Sequence, residues 1–163
     1  MTDFTELYRK YAPDVFRFAM YLSGNRSEAE DITSETFVRA WTSPEPIAMA
    51  TVKGYLLTIA RNLFLQERRK SSRAVPFDDQ IRDPHPGPAA EAETKAEYFA
   101  VMDRLQQLPE IDRSALLMHA FEGMPYAEIA QSLGISLAAV KMKIHRSRLA
   151  LSRLTLSRKE EHQ

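Results

Sequence analysis

A chain of 163 residues that is 44% hydrophobic and 27% charged can bury a core and stay in solution. Its 22 basic and 22 acidic side chains cancel, so bulk charge does not by itself point to a nucleic-acid partner. There is no cysteine, the four histidines are scattered, and no apolar run approaches the roughly 18 residues of a membrane span, which argues against disulfide scaffolds, metal sites and membrane insertion.

Residues 3–23 carry Phe4, Leu7, Tyr8, Tyr11, Val15, Phe18, Ala19 and Leu22 at mostly i, i+3, i+4 spacing, predicting a helix stopped by Gly24-Asn25. Pro13 has no amide hydrogen to give to the helix ladder, so a kink or break is expected near the first turns. Ser27 and Glu30 have the spacing of a capping box. They are expected to open a second helix with Ala29, Ile32, Thr33, Thr36, Phe37, Ala40 and Trp41 on one side and Glu28, Asp31, Glu35 and Arg39 on others. "SPEP" at 43–46 should end it. A third helix is expected over 52–71, with Leu56, Ile59, Ala60, Leu63 and Phe64 as its apolar stripe.

Residues 74–94 then gather four of the nine prolines, Gly87 and most of the central acids, the composition of an extended linker. Helical periodicity resumes from Thr94 to Leu108, breaks at Pro109, and runs again over 111–121. "EGMP" at 122–125 makes a turn into the pair of helices written in "YAEIAQSLGISLAAVKMKIHRSRLAL", residues 126–151. Strand-like alternation and internal repeats are absent. The expected fold is all-α: two small helical domains, 1–73 and 95–163, joined by a flexible linker over 74–94.

Charge is distributed unevenly. Seven basic residues and no acid lie between Lys141 and Lys159, and a second cluster, Arg61, Arg68, Arg69, Lys70 and Arg73, contains only Glu67 as counter-charge. In the final pair, Gly134 suits the positive φ of a tight helix-ending turn, Ile135 plugs the space between helices and Ser136 is a good N-cap. Leu137, Val140, Ile144, Ser147, Leu151 and Leu154 cluster within roughly one third of the helical wheel, the face expected to be buried. Ala138, Ala139, Met142, His145, Arg146 and Leu149 turn away, with Lys141 and Lys143 on the flanks. That suits a recognition helix whose first turns meet base edges while its cations meet phosphates. The competing readings are a helical hairpin with a solvated basic face, or a self-sufficient repressor or activator with a helical sensor domain. An enzyme is disfavoured, since no glycine cradle, nucleophile–base pair or metal spacing is found, and His119 reads as a core residue; no cofactor is expected.

"AEDITSETFVRAW" (29–41), "YLLTIARNLFLQERRK" (55–70) and the final helix pair, in that order, resemble an extracytoplasmic-function (ECF) sigma factor, the smallest type of bacterial sigma subunit, over Phe4 to about Leu154. The resemblance implies that residues 1–73 bind core RNA polymerase and open the promoter, and that 95–163 read the upstream promoter element. Asp31, Glu35, Phe37 and Trp41 match the helix that docks on the polymerase, with Ser34 where glutamine is usual; of these, Phe37 and Trp41 read more readily as core, and Asp31 and Glu35 as interface. Arg61 and Asn62, followed by Arg68, Arg69 and Lys70, match residues facing the downstream element, with Tyr55 and Gln66 replacing a common tryptophan and aspartate. The loop over 42–53 corresponds to one that captures a flipped base. Ser136, Ala139, Lys141, Met142, Lys143, His145, Arg146 and Arg148 match the upstream-element contacts, where Ala138-Ala139 replace glycine-threonine and Met142 replaces serine. Core polymerase, promoter DNA and an anti-sigma factor are the implied partners. The N-terminus lacks the basic-then-apolar order of a signal peptide, so a cytoplasmic location is expected.

Overall fold

The structure, a computed structural model, describes residues 3–42, 49–73 and 89–161, with side chains over 3–42, 49–71 and 95–153. It contains α1 (Phe4–Ser23), α2 (Arg26–Thr42), α3 (Val52–Arg73), α4 (Ala89–Gln107), α5 (Glu110–Ala120), α6 (Tyr126–Leu133) and α7 (Leu137–Glu161). No strand occurs among the described residues, as the all-α reading expects. The expected helix end at "SPEP", half of the loop expected to capture a base (residues 43–48) and residues 74–88 of the expected linker lie outside the described residues.

Helices α1, α2 and α3 pack on one another, and α5, α6 and α7 do the same with α4 laid against α5 and α7. The first unit buries Val15, Phe18, Leu22, Ile32, Phe37, Leu56 and Phe64; the second buries Leu105, Leu117, Met118, Ile129, Val140 and Ile144. Thr33 and Thr36, on the buried face of α2, satisfy their hydroxyls by donating to the Ala29 and Ile32 carbonyls at 2.7 and 2.6 Å.

Four local expectations change. α1 runs unbroken through Pro13, because Pro13 is on the exposed side, where the carbonyl it leaves unpaired faces water. The cap of α2 is Asn25, not Ser27: Gly24 closes α1 at φ 69°, and the Asn25 Oδ1 directly after it accepts from the Glu28 amide at 2.9 Å. Glu30 is then left to pair with Arg26 at 3.3 Å. α4 opens at Ala89, within the segment expected as linker, because the alanines and glutamates of 89–93 are strong helix formers. Leu137, expected on the buried face of α7, is 44% exposed at the helix's first residue.

The two units also meet directly. One apolar cluster contains Val15, Leu57, Ala60, Leu117, Ile129 and Ile144, so the core runs through both. A layer of polar bonds surrounds it. Arg17 of α1 makes a bidentate pair with Glu122 beyond α5, 2.9 Å from Nε and 2.9 Å from the terminal nitrogen. Lys53 adds a second cation at 3.0 Å, and Asp14 balances Arg17 at 2.9 Å. The Glu122 side chain is fully buried, and its hydrogen bond makes Arg17 hold its proton more tightly. Thr51, which caps α3 through the Gly54 amide, bonds Glu128 of α6 at 2.5 Å, and Thr58 bonds Ser132 at 2.6 Å. A Cβ at Gly54 would meet the Glu128 carboxylate, which would have to swing away from Thr51. On the other side Tyr21 stacks on Phe121 at 5.1 Å, and Gln106 donates to the Tyr21 carbonyl at 2.8 Å.

Candidate nucleic-acid and protein interfaces

The outward face of α2 is built by its helical spacing. Asp31, Ser34, Glu35, Val38 and Trp41 are exposed, whereas Phe37 is 1% exposed and belongs to the core; it cannot touch a partner and serves as a support instead. Trp41 is 60% exposed and leans edge-on against Phe4 at 5.3 Å; Tyr8, 43% exposed, packs on Phe37 at 4.9 Å. An indole is therefore held rigidly in solvent beside an acidic helix face, an arrangement that suits a protein partner with basic and apolar groups. Val38 and Tyr8 complete this surface and escaped the sequence reading. Val38 carried a signal, being one turn from both Glu35 and Trp41; Tyr8 comes from another helix and carried none. Glu35 is also held by Arg39 at 3.3 Å.

On α3 the cationic residues are engaged. Arg61, with 12% of its side chain exposed, makes a bidentate pair with Glu110 of α5 through Nε and one terminal nitrogen at 2.6 and 3.0 Å, and Glu110 also accepts from Ser114 at 2.8 Å. Arg68 lies over the Phe64 ring at 4.8 Å and donates to the Ser23 carbonyl and to Glu28, each at 3.4 Å. Glu28 is 19% exposed, and burial pushes its pKa up against the opposing pull of Arg68, helped by Glu67 and Asp31. Asn62, Arg69 and Lys70 are exposed.

Arg113 stands in the same neighbourhood and was not singled out from sequence. It is buried, caps the end of α4 by donating to the carbonyls of Leu105, Gln106 and Leu108 at 3.3, 3.4 and 2.9 Å, and lies 5.8 Å from the Phe64 ring centre. Burial lowers its pKa, partly offset by Glu110.

The α6–α7 pair has the expected turn. Gly134 adopts φ 67°, Ser136 Oγ accepts from the Ala139 amide at 3.1 Å, and Val140, Ile144 and Ser147 are buried. Among the upstream candidates, Ser136, Lys141, Met142, His145, Arg146 and Arg148 are exposed and Ala139 is half-buried. Lys143 is drawn inward, with 19% of its side chain exposed, to Asp112 of α5 at 3.4 Å; Arg146 reaches the other Asp112 oxygen at 4.0 Å. Lys141 and Arg148 form no ion pair among the described residues. His119 rests against Tyr126 at 4.6 Å inside the second unit, as a packing residue. No described helix is long and apolar enough to cross a membrane.

Fold and surfaces define a two-part helical protein with a helix-turn-helix at its C-terminal end. Residues 7–74 match sigma-70 region 2 and residues 98–151 match sigma-70, region 4. ECF RNA polymerase sigma factor SigE of Mycolicibacterium smegmatis is 36% identical over 93% of this chain, which spans 61% of that relative's length. SigL of Mycobacterium tuberculosis is 34% identical over 92% of this chain and 86% of its own. The sigma factor RpoE of Bartonella quintana, solved with the anti-sigma factor NepR, shares the fold at TM-score 0.76 with 24% identity, covering 95% of this chain and 98% of that one. The chain belongs to the ECF RNA polymerase sigma factors, which are DNA-binding transcription initiation factors rather than enzymes. Membership removes the free-standing repressor and the enzyme as readings.

Proposed function

We propose that this chain directs core RNA polymerase to a defined set of promoters in the cytoplasm, with residues 1–73 gripping polymerase and the downstream element, 95–163 reading the upstream element, and 74–94 connecting them. Asp31, Glu35 and Trp41 on α2 meet the polymerase, with Val38 and Tyr8 beside them. Asn62, Arg68, Arg69 and Lys70, together with Arg61, face the downstream element. Ser136, Ala139, Lys141, Met142, His145, Arg146 and Arg148 face the upstream element, while Lys143 positions α7 against α5. An anti-sigma factor holds the chain inactive by covering these faces; RpoE of Bartonella quintana, a protein of the same fold, was solved with such a partner, NepR.

The observation that carries this reading is the α6–Gly134–α7 geometry, which supports α7 from beneath while exposing Lys141 and Arg148 without acidic partners among the described residues. Arg61 adds a condition. Its fork is occupied by Glu110 of the other unit, so contact between Arg61 and DNA requires the two units to part. Attachment of both units to one polymerase supplies that separation and makes recognition bipartite through effective concentration.

The test is reconstitution. Core polymerase with the full chain initiates at genomic promoters that core alone ignores, and exchange of Asp31 and Glu35 for alanine weakens assembly with core while leaving the chain folded. A genome-wide run-off assay with no chain-dependent start would overturn the reading.

A further inference from the structure

One row of α7 is exposed and mostly apolar between cations. Ala138, Met142, His145 and Leu149 fall within roughly 60° of the helical wheel, directly across from the buried Val140, Ile144 and Ser147. Met142 is 57% exposed and Leu149 is 47% exposed. Cations flank the row on both sides: Lys141 and Arg148 along one edge and Arg146 along the other. A duplex groove matches it, with phosphates on each side and base edges along the floor.

We propose that Met142, with Ala138 one turn before it, is a specificity-determining residue that reads the C5-methyl group of thymine in the upstream promoter element. This rests on the reading of α7 as the upstream-element helix. The chemistry selects thymine because the other bases offer the major groove only nitrogen and oxygen donors and acceptors, or, for cytosine, a bare ring carbon beside an amino group. A thioether and a methyl group set against those polar edges would displace water and leave them unpaired. Against a thymine methyl the same side chains remove apolar surface from water on both partners. His145, next along the row, is the one member able to hydrogen-bond a base edge and sets a neighbouring position.

The experiment uses the holoenzyme. Promoter DNA with a randomised upstream element is selected for open-complex formation by core polymerase bearing the full chain, and each selected thymine is then replaced by deoxyuridine, which lacks only the methyl group. Thymine is expected to dominate at one or two positions, and its replacement there weakens binding about fourfold per methyl. With Met142→Ala, an exposed position that leaves the fold intact, the thymine and uracil promoters bind alike. Uracil tolerated by the parent chain, or an equal loss in parent and Met142→Ala, overturns the proposal. So does a Met142→Ala chain with an unchanged element that has lost a co-purifying protein, which would mark the row as a docking face. If no upstream element is selected and Lys141→Ala with Arg148→Ala leaves promoter affinity unchanged, the upstream-element reading fails as well, an outcome separable from the loss of methyl recognition alone.

Discussion

Helices α3 and α7 carry the chain's two basic clusters and hold them in opposite ways. Each of the α3 guanidiniums Arg61 and Arg68 has a carboxylate within 3.4 Å, from Glu110 and Glu28 respectively. On α7, Lys141 and Arg148 have no such partner among the described residues, and the nearby acid, Asp112, is spent on Lys143 and Arg146. The same residue type thus ends as a paired, largely buried guanidinium at Arg61 and as an open one at Arg148. Positive charge counted along a sequence is not positive potential presented to DNA; the tertiary fold decides which cations keep their field. In this arrangement Lys141 and Arg148 on α7 are open, and Arg61 on α3 is closed off.

The junction between the units is what closes it, and breaking the junction has the largest expected effect. Arg17→Ala removes the bidentate partner of the fully buried Glu122 and leaves only Lys53, so the folded state should lose about 3 kcal/mol in urea unfolding, the lower end for a broken buried pair because Lys53 remains. Gly54→Ala attacks the same junction from α3, since its Cβ must push Glu128 away from Thr51. A stability change within about 0.5 kcal/mol for Arg17→Ala would mean that the two units hold together without this network.

Opening the comparison from the α7 side comes next. Removing Lys141 and Arg148 together should weaken holoenzyme binding to promoter DNA by about tenfold and reduce the slope of log affinity against log salt by about 2, one counterion per lost phosphate contact. An unchanged slope would show that these exposed cations do not face phosphate. On the α3 side the sign reverses. Glu110→Ala frees the Arg61 fork, so affinity for single-stranded non-template promoter DNA should rise about threefold and the salt slope steepen by about 0.7. The same change removes an acid from the first turn of α5 and the acceptor of Ser114, so a stability loss of about 1–2 kcal/mol should accompany it.

Much of this was legible in the sequence, and what was not has a common cause. The turns at Gly24 and Gly134 are local: a helix stop needs a residue that tolerates positive φ, and glycine announces it. The buried stripes of α1 and α3 and the Val140–Ile144–Ser147 face were readable because helical period is local too. The cap at Asn25 was missed because two side chains of cap type lie two residues apart, and the position just after Gly24 wins. The junction was invisible for a different reason. Glu122 finds Arg17 across 105 residues and Glu128 finds Thr51 across 77, and no spacing rule links such positions. For the same reason Arg61, read as a DNA contact from its motif, carries no sequence sign that Glu110 holds it, and Phe37 none that Tyr8 and Phe4 cover it.

The smallest expected effect concerns the partner of Arg68. Burial raises the Glu28 pKa, so the folded protein takes up this proton more readily than the unfolded chain does. Ionised Glu28 therefore lowers stability at neutral pH, and the burden lifts as pH falls through the raised folded value toward the ordinary carboxylate range. Glu28→Gln removes the ionisation while keeping an acceptor for Arg68 at nearly the same place. The variant should be more stable than its parent at pH 7, and the gap should narrow with acid and close below the ordinary carboxylate range. A gap that widens with acid would mean that attraction to Arg68 outweighs burial, and that α3 keeps its guanidinium by charge rather than by the Phe64 ring and the Ser23 carbonyl.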